Sequence, residues 1–168
     1  MENLLNIFNT RAKQAAVIVL VVGLGAITSA WGFEIIGGFK PCALCLTQRW
    51  AYYTAVPLAV ILVALIISGK ITDGLLRTGV AVLALVFLAG GILGAYHAGV
   101  EWGFWPGPSS CTGGSGITGG LPDLSQKVVQ CDEVQIRILG LSFAGWNVIV
   151  SGFCVLVGLR GVIARKGF

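Results

Sequence analysis

Charged residues are scarce in this chain: they make up 11% of its 168 residues, where a soluble domain has about 25%. Hydrophobic residues account for 56% of the chain, and there is a single histidine. Because so little charge cannot cover a surface in water, the composition excludes an ordinary soluble protein and indicates a membrane protein. The net charge of +4 does not indicate nucleic-acid binding, since the basic residues stand at the ends of apolar runs and form no dense patch.

Four apolar stretches are each long enough to cross a bilayer as a helix, which takes about 20 residues. They cover residues 14–33, 46–67, 75–98 and 139–163. The first is interpreted as a retained span, because no small-residue cleavage site precedes a soluble domain. The predicted fold is an all-α membrane protein, a four-transmembrane-helix bundle forming one domain over residues 1–168. Outer loops 34–45 and 99–138 carry the cysteine pairs.

Glycines at helical spacing in two of the spans predict close packing between helices, because small residues let backbones approach in lipid. A ligand role for them is the less favoured alternative. The residues concerned are Gly23 and Gly25 in the first span and Gly90, Gly91 and Gly94 in the third.

Basic residues predict the orientation, because they concentrate on the cytoplasmic side. One side of the predicted topology holds Arg11, Lys13, Lys70, Arg77, Arg160, Arg165 and Lys166, and the other holds Lys40, Arg49, Lys127 and Arg137. This difference predicts that both termini are cytoplasmic and that the two loops lie outside.

Four of the five cysteines fall in the outer segments, as Cys42, Cys45, Cys111 and Cys131. Their position on one side of the membrane indicates an oxidising compartment. Cys154 lies within the fourth span and is interpreted as a small apolar residue without a redox role.

Cys42 and Cys45 form a Cys-x-x-Cys unit directly before the second span. A thiol at a helix N-terminus meets unpaired N–H groups and the positive end of the dipole, which favour the thiolate. The spacing predicts that Cys45 occupies this position. Arg49 lies one turn beyond Cys45, where it would stabilise a thiolate or donate to a quinone carbonyl, and Gln48 is within the same reach.

Other interpretations of these residues stay open on spacing alone. The Cys-x-x-Cys unit would also suit a static disulfide or half of a zinc site, although Cys111 and Cys131 lack the spacing of a second half. That second pair would equally serve as a loop staple. His97 is by itself better interpreted as an interfacial anchor, at a depth where it would line one pocket with Arg49. No metal site is predicted.

The outer loop around the second cysteine pair has two further features. Trp102, Phe104 and Trp105 are predicted to lie at the lipid–water interface, where aromatic rings concentrate. The residues that predict a flexible stretch are Gly113, Gly114, Gly116, Gly119 and Gly120.

Taken together, these motifs resemble the bacterial DsbB family, membrane proteins that reoxidise a DsbA-type thiol oxidase. The resemblance covers nearly the whole chain. It comprises the four spans, Lys40–Cys45 before the second span, Gln48-Arg49 after it, the loop pair Cys111 and Cys131, and Leu139-Gly140-Leu141 with Trp146 at the fourth span. The chain departs from the family pattern in the adjacency of Tyr96 and His97, and in its glycine-rich loop.

The resemblance implies a thiol–quinone oxidoreductase in the bacterial inner membrane. A periplasmic DsbA-like partner would attack the Cys111–Cys131 disulfide at Cys111, Cys131 would resolve the mixed disulfide, and the loop would be reoxidised by the Cys-x-x-Cys pair. Electrons would pass to a membrane quinone, either ubiquinone or menaquinone. The implied catalytic residues are Cys42, Cys45, Cys111 and Cys131, and the implied quinone-binding residues are Arg49, Gln48 and His97.

Three alternatives accompany this hypothesis. A vitamin K epoxide reductase-like protein is disfavoured, because its Cys-x-x-Cys comes late in the chain. A DsbI-type relative would serve a dedicated substrate. A non-catalytic membrane scaffold with two structural disulfides would leave Arg49 beside Cys45 without a purpose.

Overall fold

The computed structural model of the protein describes residues 9–111 and 130–164. Its four long helices are α1 (Arg11–Ile35), α2 (Ala43–Ile67), α3 (Asp73–Glu101) and α4 (Phe143–Ile163). Each is long and apolar enough to cross a membrane, and the described residues contain no β-strand. The predicted all-α fold with four spans is therefore confirmed. The predictions for Gly113 to Gly120, for Lys127 and for Arg165 and Lys166 lie outside the described residues.

Side-chain caps determine where the helices begin. The capping side chains accept a hydrogen bond from the backbone N–H three residues later, which satisfies one of the free donors of the first turn. They are Thr10, Cys42, Thr72 and Ser142. The predicted starts at residues 14, 46 and 75 were therefore two or three residues late.

The predicted start of the fourth helix at residue 139 was wrong in the other direction. Leu139 and Gly140 have φ angles of 52° and 84°, which no helix accommodates. They form a tight turn in which Ile138 and Leu141 exchange two backbone hydrogen bonds of 2.9 and 3.1 Å. The helix begins only after this turn, once Ser142 caps it.

The helices form a closed ring, in which each packs against the next along the chain and α4 packs against α1. Their interior has two parts. The larger part is apolar and includes Val19, Leu62, Leu83, Phe87 and Cys154. The smaller part lies where α2 begins and α3 ends, and consists of Cys42, Leu44, Val100, Cys111 and Cys131.

Glycines on α3 allow the close contact that their spacing predicts. A Cβ atom on Gly90 would lie 2.8 Å from the Cβ of Ala51, and one on Gly94 would lie 2.8 Å from Nδ2 of Asn147. The prediction was wrong for Gly25, because a Cβ atom there would meet nothing within 4 Å.

Arg77 joins α3 to α4 at the end of the bundle away from the cysteine pairs. Its guanidinium donates hydrogen bonds of 2.8 Å to the carbonyl oxygens of Val162 and Ala164. The last carbonyls of a helix have no partner within the helix, so this arginine supplies one from the neighbouring helix.

Candidate active site

The two cysteine pairs meet in the smaller part of the core. Cys111 and Cys131 form a disulfide, whereas Cys42 and Cys45 are free thiols whose Sγ atoms lie 2.7 Å apart. The loop disulfide and Cys42 are all buried in one cluster, with Cys45 packed against it. The fold therefore places the loop disulfide within the same enclosed space as the Cys-x-x-Cys unit.

Cys42, and not Cys45, occupies the N-terminal cap of α2. Its Sγ accepts the backbone N–H of Cys45 at 3.1 Å, so the helix-terminus position predicted for Cys45 belongs to Cys42. The hydrogen bond from the Cys45 thiol lowers the pKa of Cys42 from 9.0 to about 5, against the opposing effect of burial. Hydrogen bonds from His97 and from the Cys45 backbone act in the same direction and contribute to this lowered pKa. Cys42 is therefore the cysteine of the pair that ionises more readily to a thiolate.

His97 links the Cys-x-x-Cys unit to the loop. Its ring is 2% exposed, and its Nε2 atom lies 3.7 Å from Sγ of Cys42 and 3.2 Å from the carbonyl oxygen of Cys131. Glu101, one helical turn further on, places a carboxylate oxygen 3.9 Å from the same nitrogen. The ring thus contacts a sulfur of one pair and the backbone of the other.

A buried polar network continues from His97 towards the bundle centre. Nδ1 of His97 lies 2.6 Å from Nε2 of Gln48, and Oε1 of Gln48 accepts a 2.6 Å hydrogen bond from Nδ2 of Asn147. Oδ1 of Asn147 in turn accepts from the hydroxyl of Tyr52 at 2.6 Å and from Ser151 at 3.4 Å. Both ends of the Gln48 amide are therefore engaged within the protein.

A cavity of about 390 Å³ opens beside this network. Apolar residues of α1 and α4 form much of its wall, while Cys42, Cys45, Arg49 and His97 all border it. Arg49 and His97 thus line one cavity, as predicted from their similar depth in the membrane. An apolar chamber with a few polar groups at one end suits a ring with carbonyl acceptors.

Arg49 is paired with an acidic residue that the spacing did not indicate. Its Nη1 atom lies 2.5 Å from a carboxylate oxygen of Glu34 at the C-terminal end of α1. The guanidinium has five N–H donors in a planar fork, so this pairing orients the group and leaves other donors for a ligand.

A second cavity, of about 370 Å³, reaches the other side of the loop disulfide. It is lined by Cys111 and Asp132 together with the aromatic residues Phe104 and Trp105. Cys131 borders the larger cavity instead. Each cysteine of the loop disulfide therefore borders a different cavity: Cys111 the second and Cys131 the first.

A metal ion is geometrically conceivable at Cys42, Cys45 and His97, whose ligand atoms lie within 4.8 Å of one another. However, a metal-bound histidine donates its other ring N–H to an acceptor. Here the other nitrogen, Nδ1, faces the amide nitrogen of Gln48, which is a donor. The polarity of the network therefore does not suit a metal-bound imidazole.

Sequence reasoning missed the residues that support the site from other helices. Asn147 and Glu101 are buried polar side chains, and Glu34 is the partner of Arg49. The available signal was that a polar group within an apolar span is costly and so has a function or a partner. Arg49 was found by this rule, and Asn147 in the fourth span would have been found by it too.

Comparison with known proteins gives a consistent result. The family model for disulfide bond formation protein DsbB matches residues 12–160. The chain is 25% identical over 164 residues to disulfide bond formation protein B of Polaromonas sp., covering 92% of this chain and 93% of that protein. It is 25% identical over 169 residues to the protein of the same name from Aromatoleum aromaticum, covering 95% and 96%. It is also 27% identical over 156 residues to an uncharacterized protein of Rickettsia prowazekii, covering 89% and 86%. No solved structure matches the chain.

Proposed function

The chain belongs to the DsbB family, and on this premise we propose that it reoxidises a periplasmic DsbA-like thiol oxidase and passes the electrons to a membrane quinone. Membership in the family makes it a disulfide-forming oxidoreductase and a multi-pass protein of the inner membrane. The observation that carries the finer proposal is the burial of Cys42 in one cluster with the loop disulfide, beside a cavity bordered by Arg49.

The first step takes place at Cys111. A thiolate of the reduced partner enters by the second cavity, bordered by Cys111, Phe104 and Trp105 and called the outer cavity from here on. It attacks the sulfur of Cys111, which breaks the loop disulfide and releases Cys131 as a thiolate. The resolution by Cys131 that the resemblance implies is corrected here, because attack by Cys131 on the new mixed disulfide would only restore the starting bond. The second cysteine of the partner therefore resolves it, so that the partner leaves oxidised and Cys111 is left as a thiol.

The second step moves the electrons to the Cys-x-x-Cys pair in its disulfide form. The Cys131 thiolate attacks Cys42, and Cys45 leaves with the electron pair. Cys111 then attacks Cys131, which closes the loop disulfide again and releases Cys42 as a thiolate. The low pKa of Cys42 favours this release, because a leaving thiol of low pKa departs faster.

The arrangement of the cysteines in the structure matches the state that the proposed relay reaches at the end of this second step. The loop disulfide is closed and the Cys42–Cys45 pair is open. His97 and the Cys45 backbone N–H face the Cys42 sulfur, where they stabilise negative charge. Glu34 orients the Arg49 guanidinium at the border of the same cavity.

The larger cavity fits a quinone by its chemistry. Cys42 and Cys45 would give two electrons to a bound quinone as their disulfide re-forms, with one proton from the Cys45 thiol and one from solvent. Cys45 would lie beside the ring, and Arg49 would polarise a carbonyl with the donors that Glu34 leaves free. His97 is assigned to Cys42 by its position, and Gln48 supports His97. The apolar walls hold the ring and keep water from the thiols.

The same proposal includes the orientation predicted from the basic residues. Both termini lie in the cytoplasm, and both cysteine pairs lie at the periplasmic end of the bundle. That end holds the outer cavity by which a soluble partner would reach Cys111.

The proposal is tested with purified protein in lipid, supplied with a quinone and a reduced periplasmic dithiol oxidase. Loss of partner thiols should accompany quinone reduction in a one-to-one ratio of thiol pairs to quinone. Cys45→Ser should abolish both signals. Cys154→Ser is the matched control, because Cys154 is buried in the apolar part of the core, and it should retain them.

The entry point is tested with a partner that lacks its second cysteine. Peptide mapping should find the stable mixed disulfide at Cys111. A mixed disulfide at Cys131 would contradict the assignment of the outer cavity. A non-catalytic scaffold would reduce no quinone, and a relative with a dedicated substrate would reduce quinone with one exported thiol protein but not with a general thiol oxidase.

A further inference from the structure

We propose that Asn147 is a positioning residue that acts through Gln48 to keep the proton of neutral His97 on Nε2, the nitrogen that faces Cys42. The inference deepens the proposed function, and it rests on that function only for the redox role of Cys42. The tautomer itself follows from hydrogen-bond geometry.

The carbonyl oxygen of Gly90 determines which way the Asn147 amide points. It lies 3.2 Å from Nδ2 of Asn147, and a backbone carbonyl can only accept a hydrogen bond. The amide nitrogen must therefore face Gly90, and its second hydrogen points to Oε1 of Gln48 at 2.6 Å. Oδ1 is left to accept the hydroxyl of Tyr52.

The orientation of Asn147 is passed on to Gln48. Because Oε1 of Gln48 accepts from Asn147, the NH₂ group of Gln48 points to Nδ1 of His97, 2.6 Å away. A neutral imidazole has one donor nitrogen and one acceptor nitrogen. Nδ1 is the acceptor here, so the proton lies on Nε2.

The opposite arrangement would set like groups against each other. Reversing Gln48 alone would bring two NH₂ groups together at 2.6 Å. Reversing Asn147 as well would turn its oxygen towards the Gly90 carbonyl oxygen. The side chains of Gln48, His97 and Asn147 are all buried, so the lost hydrogen bonds make the opposite arrangement costly.

The proton on Nε2 matters because of what this nitrogen contacts. It faces the sulfur of Cys42 and the carbonyl oxygen of Cys131. The carbonyl oxygen is always an acceptor, and the sulfur is a strong acceptor when Cys42 is a thiolate. With the proton on Nδ1, Nε2 would carry a lone pair, which would be repelled by the thiolate sulfur of Cys42 and by the carbonyl oxygen of Cys131. Among the residues that the structure describes, the titratable groups that face Cys42 are Cys45 on α2 and His97 with Glu101 on α3.

The test uses the single histidine of the chain, which makes a histidine label specific for one ring. In protein labelled with ¹⁵N-histidine, NMR at a pH where imidazole is neutral should show Nε2 protonated and Nδ1 unprotonated. Asn147→Leu should shift part of the population to the Nδ1-protonated tautomer, because Gln48 is then free to reverse and, of the two backbone-anchored constraints, only the Cys131 carbonyl still favours a proton on Nε2. Ser151→Ala is the matched control, since Tyr52 and Gly90 still orient Asn147, and it should keep the native signals.

A second readout is the pH dependence of Cys42 alkylation. Its midpoint should move to higher pH in Asn147→Leu and stay in place in Ser151→Ala. A native protein protonated on Nδ1, or an Asn147→Leu variant with the native tautomer, would overturn the inference. The spectrum of the native protein decides the tautomer even if the variant does not fold. Absence of quinone reduction would refute the proposed function and leave the NMR result standing.

Discussion

Reduced protein should lose the Cys42 thiolate only when the pH falls to about 5, since the hydrogen bond from Cys45 and the contact with His97 lower its pKa from 9.0. At pH 7 about 99% of Cys42 would be thiolate, compared with about 1% of an ordinary thiol of pKa 9.0. This is a gain of roughly 100-fold in the reactive form.

The rate at pH 7 is nevertheless a poor test. A thiolate becomes less nucleophilic as its pKa falls, and over this shift the loss is roughly 40- to 100-fold. The gain in thiolate fraction and the loss in nucleophilicity therefore nearly cancel at pH 7. At pH 5.5 the thiolate fractions differ by roughly 2000-fold, so Cys42 should react about 20–60 times faster than an ordinary thiol of equal access.

The assay is reaction of the reduced protein with a small disulfide reagent over a series of pH values. Mass spectrometry reports the modification of Cys42 separately from that of the other cysteines. Cys45→Ala should raise the midpoint of Cys42, because the largest contribution to its low pKa is lost. Cys45→Ser retains a hydroxyl donor and should raise it less. A native midpoint near 9, or modification of Cys45 before Cys42 at pH 5.5, would refute the reasoning.

Two further predictions concern other parts of the bundle. Glu34→Gln removes the carboxylate that orients Arg49, so it should raise the KM for quinone several-fold with less effect on oxidation of the partner. Equal effects on quinone use and on partner oxidation would contradict this role of the pair. Gly90→Ala should lower the free energy of unfolding in detergent by about 1–3 kcal/mol through overpacking. Gly25→Ala should leave it unchanged, because a Cβ atom there meets nothing within 4 Å. Equal melting temperatures of the two variants would contradict this prediction.

Hydropathy predicts the four helices well, because the bilayer acts on the average of about twenty residues and tolerates local exceptions. Helix ends depend on single side chains and turns, which an average conceals. Thr72 caps the third helix, which begins at Asp73, two residues before its predicted start, and the turn at Leu139 and Gly140 delays the fourth helix by four residues. Both signals were present in the sequence as a capping residue and as a glycine.

From spacing alone, the site was predictable only where its residues are neighbours in the chain, whereas Cys111, Cys131 and His97 were assigned to it by the family resemblance. Cys42, Cys45 and Arg49 are found by spacing along one helix. The groups that determine their chemistry are distant in sequence: Gln48 reaches His97 across 49 positions and Asn147 across 99. No periodicity links such residues, because the contact exists only after the helices pack.

The division of the core into a large apolar part and a small cysteine-containing part has an energetic consequence for the membrane. Under the proposed relay, every described group that handles electrons or protons lies at the end of the bundle opposite the Arg77 contact with α4. Electrons and protons therefore arrive and depart without crossing the apolar part of the bundle. Turnover of this kind moves no net charge through the bilayer, so it neither draws on the membrane potential nor adds to it.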